Sequence, residues 1–137
     1  QLNVPFFSST ISAISVLSSI NEETRSIKNL SGRRVLALSA IGDPGGFHSL
    51  IKKTGATIAE SLIYQDHHTY TKNDWKIIKK TKEDVGADLI LTTEKDLLKL
   101  EAFSGDVPIH AIRINLNIED QGFQIIRDFI NKIEIIN

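Results

Sequence analysis

The stretch at residues 64–71, Tyr-Gln-Asp-His-His-Thr-Tyr-Thr, holds the side chains best suited to chemistry. Two of the four histidines, His67 and His68, stand side by side after the carboxylate of Asp66. A carboxylate beside a histidine accepts one ring N–H, which fixes the tautomer and leaves the other ring nitrogen free to act. Asp66 and His67 are therefore candidate catalytic residues, and His68 and Tyr70 are candidate supporting residues or contacts to substrate or nucleotide.

The same stretch has two other interpretations. Its histidines could be solvated, or they could belong to a structural hydrogen-bond cluster. Metal binding is a weaker hypothesis, because two adjacent histidines rarely point at one ion and no distant ligand set is evident. We therefore predict no metal site. His48 and His110 have no comparable neighbours, and His110 falls in an apolar run where a structural role is expected.

Two further polar clusters follow apolar runs. Residues 41–44, Ile-Gly-Asp-Pro, contain a turn glycine, an N-cap aspartate and a proline suited to the first turn of a helix. The simplest interpretation is a turn with a helix cap, and the alternative is a contact with phosphate or substrate. Residues 93–96, Thr-Glu-Lys-Asp, form a second helix start. Lys95 would lie at the positive end of that helix, a conflict that a bound anion or a carboxylate partner would relieve. The candidate supporting residues of these clusters are Gly42, Asp43, Thr93, Glu94, Lys95 and Asp96.

The elements that must position these side chains alternate regularly. Short apolar runs at 35–40, 57–63, 87–92 and 109–116 predict strands, and an amphipathic helical pattern follows each. This order predicts an α/β fold with a mostly parallel sheet of about four strands and helices on both faces. All three polar clusters would then meet at the carboxyl ends of the strands, where such sheets bind ligands. The inner face of the last helix would carry Phe123, Ile126, Phe129, Ile130 and Ile133.

The N-terminal region differs in composition from the rest. Residues 3–20 are rich in serine and β-branched residues, which favours strands over helix. We interpret residues 1–32 as a β-ribbon and interdomain linker arm, and residues 33–137 as a C-terminal α/β domain. The chain starts with Gln1 and contains no methionine, which suggests a fragment of a longer protein.

Composition excludes several classes of function. The chain has 137 residues, 41% of them hydrophobic, and a net charge of −1. That charge gives no basic footprint for nucleic acid. No apolar run approaches the roughly 20 residues that span a bilayer. Cysteine is absent, so disulfides, thiolate nucleophiles and thiolate–zinc sites are excluded.

Four blocks of this sequence resemble the C-terminal half of the tetraacyldisaccharide 4′-kinase family of the lipid A pathway in Gram-negative bacteria. The resemblance runs from about residue 5 to the C-terminus, and the order and spacing of the blocks match. Asp-His-His-x-Tyr together with Thr-Thr-Glu-Lys-Asp is a specific pair, whereas either alone would be weak. The blocks are residues 30–44, Gly55-Ala56, residues 66–71 and residues 86–96.

The resemblance implies a kinase that moves the γ-phosphate of ATP to the 4′-hydroxyl of a tetraacylated glucosamine disaccharide, with Mg²⁺. It also implies that the full-length protein is cytoplasmic and peripheral at the inner membrane, where it contacts the membrane surface and the lipid substrate. Family members carry an N-terminal P-loop domain, and a histidine of the Asp-His-His motif pairs with a catalytic aspartate of that domain. By resemblance this role falls on His67, with Asp66 as its orienter.

No P-loop pattern, Gly-x-x-x-x-Gly-Lys-Ser/Thr, occurs in these residues. We therefore expect the missing N-terminal domain to bind most of the ATP and Mg²⁺, and the chain alone to be inactive. Two alternatives are a metal-dependent phosphoesterase of the Asp-His-His type and a stand-alone nucleotide-binding or regulatory module. The phosphoesterase would need further aspartates, for which Asp43, Asp88 and Asp96 are the nearby candidates, and Asp88 is expected at the wrong end of its strand.

Overall fold

A computed structural model describes residues 8–19, 23–103, 105–118 and 120–134. Within them the chain forms a six-stranded sheet in the order β2-β1-β6-β5-β3-β4. The strands are β1 Ser9–Ser18, β2 Thr24–Ser26, β3 Arg34–Ser39, β4 Thr57–Ile63, β5 Leu89–Thr93 and β6 Ile109–Ile118. The α-helices are α1 Pro44–Lys53, α2 Lys72–Asp84, α3 Glu94–Leu100 and α4 Asp120–Glu134, and short 3₁₀ helices cover Ile27–Leu30 and Glu101–Phe103.

The predicted α/β fold is confirmed. Strand β3 pairs in parallel with β4 and with β5, and β5 pairs in parallel with β6. These are the four strands expected from the apolar runs. The strand count differs because the N-terminal ribbon, in which β1 pairs antiparallel with β2, joins the same sheet instead of standing apart from it.

Helices cover both faces of this sheet, as the apolar pattern requires. Alternate residues of a strand face opposite sides, and in β3 Leu36 and Leu38 belong to one buried cluster while Val35 and Ala37 belong to the other. The first cluster includes Trp75 and Ile78 of α2 and Leu97 and Leu100 of α3, and the second includes Phe47 and Ile51 of α1.

Helix boundaries follow local side-chain chemistry. Asp43 caps α1, with its Oδ1 accepting the N–H of Gly46 at 2.9 Å, and Pro44 occupies the first turn. Thr71 and Asp74 form the reciprocal capping box that begins α2. The C-terminal boundary of α1 is set by Gly55, whose φ of +82° is costly for other residues. These signals fix where each strand ends and each helix begins, and therefore where the polar loops lie.

The chain divides into two compact units, one of residues 13–114 and one of residues 1–12 with 115–137. The interpretation of residues 1–32 as a linker arm stays a prediction. In the smaller unit, the predicted inner face of the last helix is wrong for Phe123 and Ile130, which are about half exposed. The side chains of Phe129 and Ile133 lie outside the described residues. In the described part of the chain, no helix combines the length and apolarity needed to traverse a bilayer.

Candidate active site

Three strand-to-helix loops meet at the carboxyl edge of the parallel strands, as the alternating pattern predicted. Oδ2 of Asp96 accepts the backbone N–H of Ala40 at 2.9 Å, which ties the loop after β3 to the start of α3. Nζ of Lys95 lies 3.5 Å from Oδ1 of Asp66, which joins the start of α3 to the loop after β4. A Cβ placed on Gly42 would lie 3.6 Å from Oδ2 of Asp66, so the first loop passes beside this carboxylate.

Asp66 and His67 form the tip of a tight turn. The N–H of His68 donates to the carbonyl of Gln65 at 3.0 Å, and Oδ1 of Asp66 accepts the backbone N–H of His67 at 2.9 Å. Nε2 of His67 lies 3.6 Å from Oδ2 of Asp66, an ion-pair distance, and the imidazole is 77% exposed. This turn therefore presents an accessible imidazole next to a carboxylate.

The backbone of His67 is strained. Its φ is +62°, and among the described residues it is the only non-glycine residue with a positive φ. Such a conformation costs on the order of 1 to 3 kcal/mol and persists only where the surroundings impose it. Backbone outliers of this kind cluster at functional sites, and this one coincides with the candidate catalytic residue.

Charge around the turn favours ionised Asp66. Partial desolvation raises the pKa of the Asp66 carboxyl. The neighbouring His67 and Lys95 together lower this pKa by more than desolvation raises it, so the pKa of Asp66 lies below its usual value. Lys95 thus has the carboxylate partner that its unfavourable place at the start of α3 required. The three groups form a compact polar cluster on the exposed edge of the sheet.

A buried carboxylate supports this cluster from below. Asp96 is fully buried, its Oδ2 also accepts the hydroxyl of Thr93 at 3.0 Å, and its N–H donates to that hydroxyl oxygen at 3.1 Å. Oδ1 of Asp96 and the hydroxyl of Tyr70 are both buried without a hydrogen-bond partner among the described residues. The pKa of Tyr70 is raised mainly by burial and, to a smaller extent, by the charge of Asp96. Asp96 and Tyr70 therefore lie beneath the site and not at its surface.

The remaining residues predicted for the site lie either at its surface or in the contacts that hold its loops. Glu94 is paired with Arg113 of β6 at 2.8 Å, and Asp43 is occupied by the cap of α1. Thr93 caps α3 through Asp96. Of the residues predicted for this site, Asp66, His67, Lys95 and Gly42 are therefore brought together at the surface, while Thr93, Glu94, Asp43, Asp96, His68 and Tyr70 hold the loops.

Three residues that our sequence reasoning missed as site residues surround His68. Its Nε2 lies 3.0 Å from Oδ2 of Asp74, its ring stacks on that of Tyr64 with centroids 4.6 Å apart, and its carbonyl accepts Nζ of Lys99 at 3.1 Å. A partial signal existed, because Tyr64 opens the polar stretch and the spacing of Thr71 and Asp74 is typical of a capping pair at the start of a helix. Nothing local indicated that both would converge on one histidine.

The pKa of Asp74 yields a prediction about acid stability. The pKa of the Asp74 carboxyl lies below its ordinary value, mainly because of the hydrogen bond from His68 and, to a smaller extent, that from the N–H of Thr71. Because the folded pKa is depressed, the stabilisation is present above about pH 4, the unfolded value, and is lost as pH falls through the folded one. Asp74→Asn should therefore destabilise the chain at pH 7, and its difference from wild type should shrink towards pH 3.

Urea unfolding at a series of pH values measures this effect. Asp84→Asn is the matched control, because Asp84 is an exposed helix aspartate that pairs with Lys80. A stability difference for Asp74→Asn that stays constant between pH 7 and pH 3 would contradict the prediction.

The described residues contain no group of three or more His, Cys, Asp or Glu that could hold a metal ion. The aspartates that a phosphoesterase would need are engaged elsewhere. Asp43 caps α1, and Asp96 accepts the N–H of Ala40 and the hydroxyl of Thr93. Asp88, at the amino end of β5, accepts the N–H of Arg34 at 2.8 Å. The carboxylate of Asp43 also occupies the start of α1, where a phosphate would otherwise bind.

Comparisons with known proteins identify the family of the chain. The family model described as tetraacyldisaccharide-1-P 4′-kinase matches residues 3–131. The tetraacyldisaccharide 4′-kinase of Syntrophus aciditrophicus is 40% identical over 74 residues, which cover 54% of this chain and 20% of that protein. The enzyme of the same name from Halothermothrix orenii is 30% identical over 122 residues, covering 88% of this chain and 31% of that protein.

A solved structure supports the fold. The crystal structure of LpxK from Aquifex aeolicus in complex with ATP matches 97% of this chain and 38% of that one, with a TM-score of 0.57 and 24% identity. The chain thus spans less than two fifths of that protein and 20% to 31% of the two curated relatives.

Proposed function

The chain belongs to the tetraacyldisaccharide 4′-kinase family, and from that premise we propose that it is the C-terminal domain of such a kinase. The full-length kinase transfers the γ-phosphate of ATP to the 4′-hydroxyl of a tetraacylated disaccharide, a step of lipid A synthesis. Family membership rests on the match over residues 3–131. The contribution of this domain is the Asp66–His67 turn.

The observation that carries the proposal is the exposed imidazole of His67 beside Asp66 and Lys95 at the carboxyl edge of the sheet. Phosphoryl transfer requires mostly positioning and charge stabilisation, together with a base near the attacking hydroxyl. His67 pairs with a catalytic carboxylate of the N-terminal domain, and that carboxylate accepts the hydroxyl proton. Asp66 orients the imidazole and keeps a negative charge beside it.

Nucleotide and Mg²⁺ are assigned to the N-terminal domain. In this chain the helix starts at the candidate site are capped by Asp43 and by Thr93 with Asp96, and the sequence contains no P-loop. Mg²⁺ supplies charge neutralisation on the phosphates when it is bound there. We assign the full-length kinase to the cytoplasmic face of the inner membrane as a peripheral protein, where it meets its lipid substrate.

The proposal is tested by following transfer of labelled phosphate from ATP to the tetraacylated disaccharide. The full-length kinase that contains this chain should phosphorylate the 4′-hydroxyl, whereas the 137-residue chain alone should give no turnover and bind ATP weakly. Phosphorylation by the chain alone would contradict the assignment of ATP and Mg²⁺ binding to the N-terminal domain. Absence of phosphorylation by the full-length protein would overturn the proposed function.

A further inference from the structure

The two adjacent histidines of the turn have different environments. The side chain of His67 is 77% exposed, whereas that of His68 is 28% exposed. The ring of His68 is stacked on Tyr64, and its edge contacts Tyr70 at a centroid distance of 5.2 Å and an interplanar angle of 85°. Tyr64 and Tyr70 also contact each other, edge to face, at 5.3 Å. Stacked and edge-to-face rings are preferred aromatic arrangements, so these contacts define one ring position for His68.

Hydrogen bonds hold the same residue from two helices. Oδ2 of Asp74 accepts Nε2 of His68 at 3.0 Å, and it also accepts the N–H and hydroxyl of Thr71, each at 2.8 Å. Because an ionised carboxylate only accepts, Nε2 of His68 carries the hydrogen. From the other side, Nζ of Lys99 on α3 donates to the carbonyl of His68. His68 is thereby fixed to the start of α2 by its ring and to α3 by its backbone.

This anchoring accounts for the strained residue next to it. The N–H of His68 closes the turn on Gln65, and His67 stands between these two residues with its φ of +62°. A positive φ persists where neighbouring contacts over-determine the backbone. With the ring of His68 fixed, the turn has one arrangement, in which His67 is exposed and Asp66 lies within reach of Lys95.

We propose that His68 is a positioning residue for phosphoryl transfer. Its Nε2–H bond to Asp74 and its stacking on Tyr64 hold the Asp66–His67 turn in its active geometry, and its own ring stays away from the reacting atoms. This inference rests on the proposed function and assigns the two histidines separate tasks. His67 acts at the site, and His68 holds it there.

The test compares variants of the full-length kinase. His68→Phe keeps an aromatic ring but removes the donor, whereas His68→Gln places an amide N–H near the position of Nε2. We expect His68→Phe to lower kcat by about 10- to 100-fold with little change in KM, because small misplacements of catalytic groups are costly. His68→Gln should recover most of that loss. His48→Gln is the matched control, since His48 bonds Ser61 away from the turn and should leave kcat unchanged.

A second readout follows the turn itself in the 137-residue chain. A positive φ produces a strong intraresidue HN–Hα nuclear Overhauser effect, which should be present at His67 in wild type, His68→Gln and His48→Gln and weakened in His68→Phe. If His68→Phe fails to fold, Asp74→Asn, which retains volume but weakens the acceptor, takes its place. Its losses should be of the same kind as those of His68→Phe but smaller, because the amide oxygen of asparagine can still accept the Nε2–H of His68.

The outcomes separate the inference from the function it rests on. Wild-type kcat and an unchanged His67 signal in His68→Phe would overturn the positioning role. Equal losses in His68→Phe and His68→Gln would also overturn it, because the hydrogen bond to Asp74 would then not matter. If His67→Asn keeps wild-type kcat, the proposed role of His67 in the kinase fails instead, and the nuclear Overhauser signal still decides whether His68 holds the turn.

Discussion

Replacing His67 with asparagine in the full-length kinase should lower kcat by about 100- to 1,000-fold, the range expected when a group that assists proton transfer is removed. Asparagine is the appropriate replacement because it tolerates a positive φ better than most residues. The φ of +62° at position 67 can then be retained while the imidazole is lost. KM should change little, because the role proposed for His67 is in the chemical step and not in ground-state binding.

The control for this prediction is His48→Asn, which removes an imidazole that bonds Ser61 at 2.7 Å on another part of the domain. Its kcat should remain within about twofold of wild type, as for a substitution outside the site. A His67→Asn enzyme that keeps wild-type kcat would show that the imidazole takes no part in transfer.

Replacing Asp96 with alanine should lower the free energy of unfolding by about 2 to 4 kcal/mol, because the N–H of Ala40 and the hydroxyl of Thr93 both lose their buried acceptor. Asp96 is fully buried and its Oδ2 accepts bonds from both Ala40 and Thr93. A loss of this size is a large fraction of the stability of a typical domain.

Denaturation in urea at pH 7 measures the effect of Asp96→Ala. Asp96→Asn should cost less, because its amide oxygen can still accept the N–H of Ala40. Asp84→Ala serves as the exposed control, since Asp84 pairs with Lys80 on the surface of α2, and it should change stability little. An Asp96→Ala chain as stable as Asp84→Ala would contradict the supporting role of the buried carboxylate.

The parallel core was predictable because its signals are local. Apolar runs marked four strands, and cap residues such as Asp43 and the Thr71–Asp74 pair marked helix starts. The N-terminal ribbon was predicted as a ribbon, but its place in the sheet depends on long-range pairing, which sequence periodicity does not encode. Periodicity likewise identified the apolar face of α4, but it did not indicate that Phe123 and Ile130 would be half exposed.

The candidate site was likewise predictable in its location but not in its detailed contacts. The order of strands and helices placed three loops at one edge, and the unfavourable position of Lys95 indicated a carboxylate partner, which is Asp66. The positive φ of His67 could not be predicted, because only a few per cent of non-glycine residues adopt one and no glycine marked the position. The bond between His68 and Asp74 was also missed, since a capping residue gave no sign of a second partner.

The most direct test of the central claim is a double-mutant cycle on kcat in the full-length kinase, with Asp66→Asn, His67→Asn and both together. If Asp66 acts by orienting the imidazole of His67, the double variant should be within about threefold of His67→Asn, because residues that act as a unit are not additive. Losses that multiply in the double variant would contradict this account, as would wild-type transfer of phosphate in any of the three.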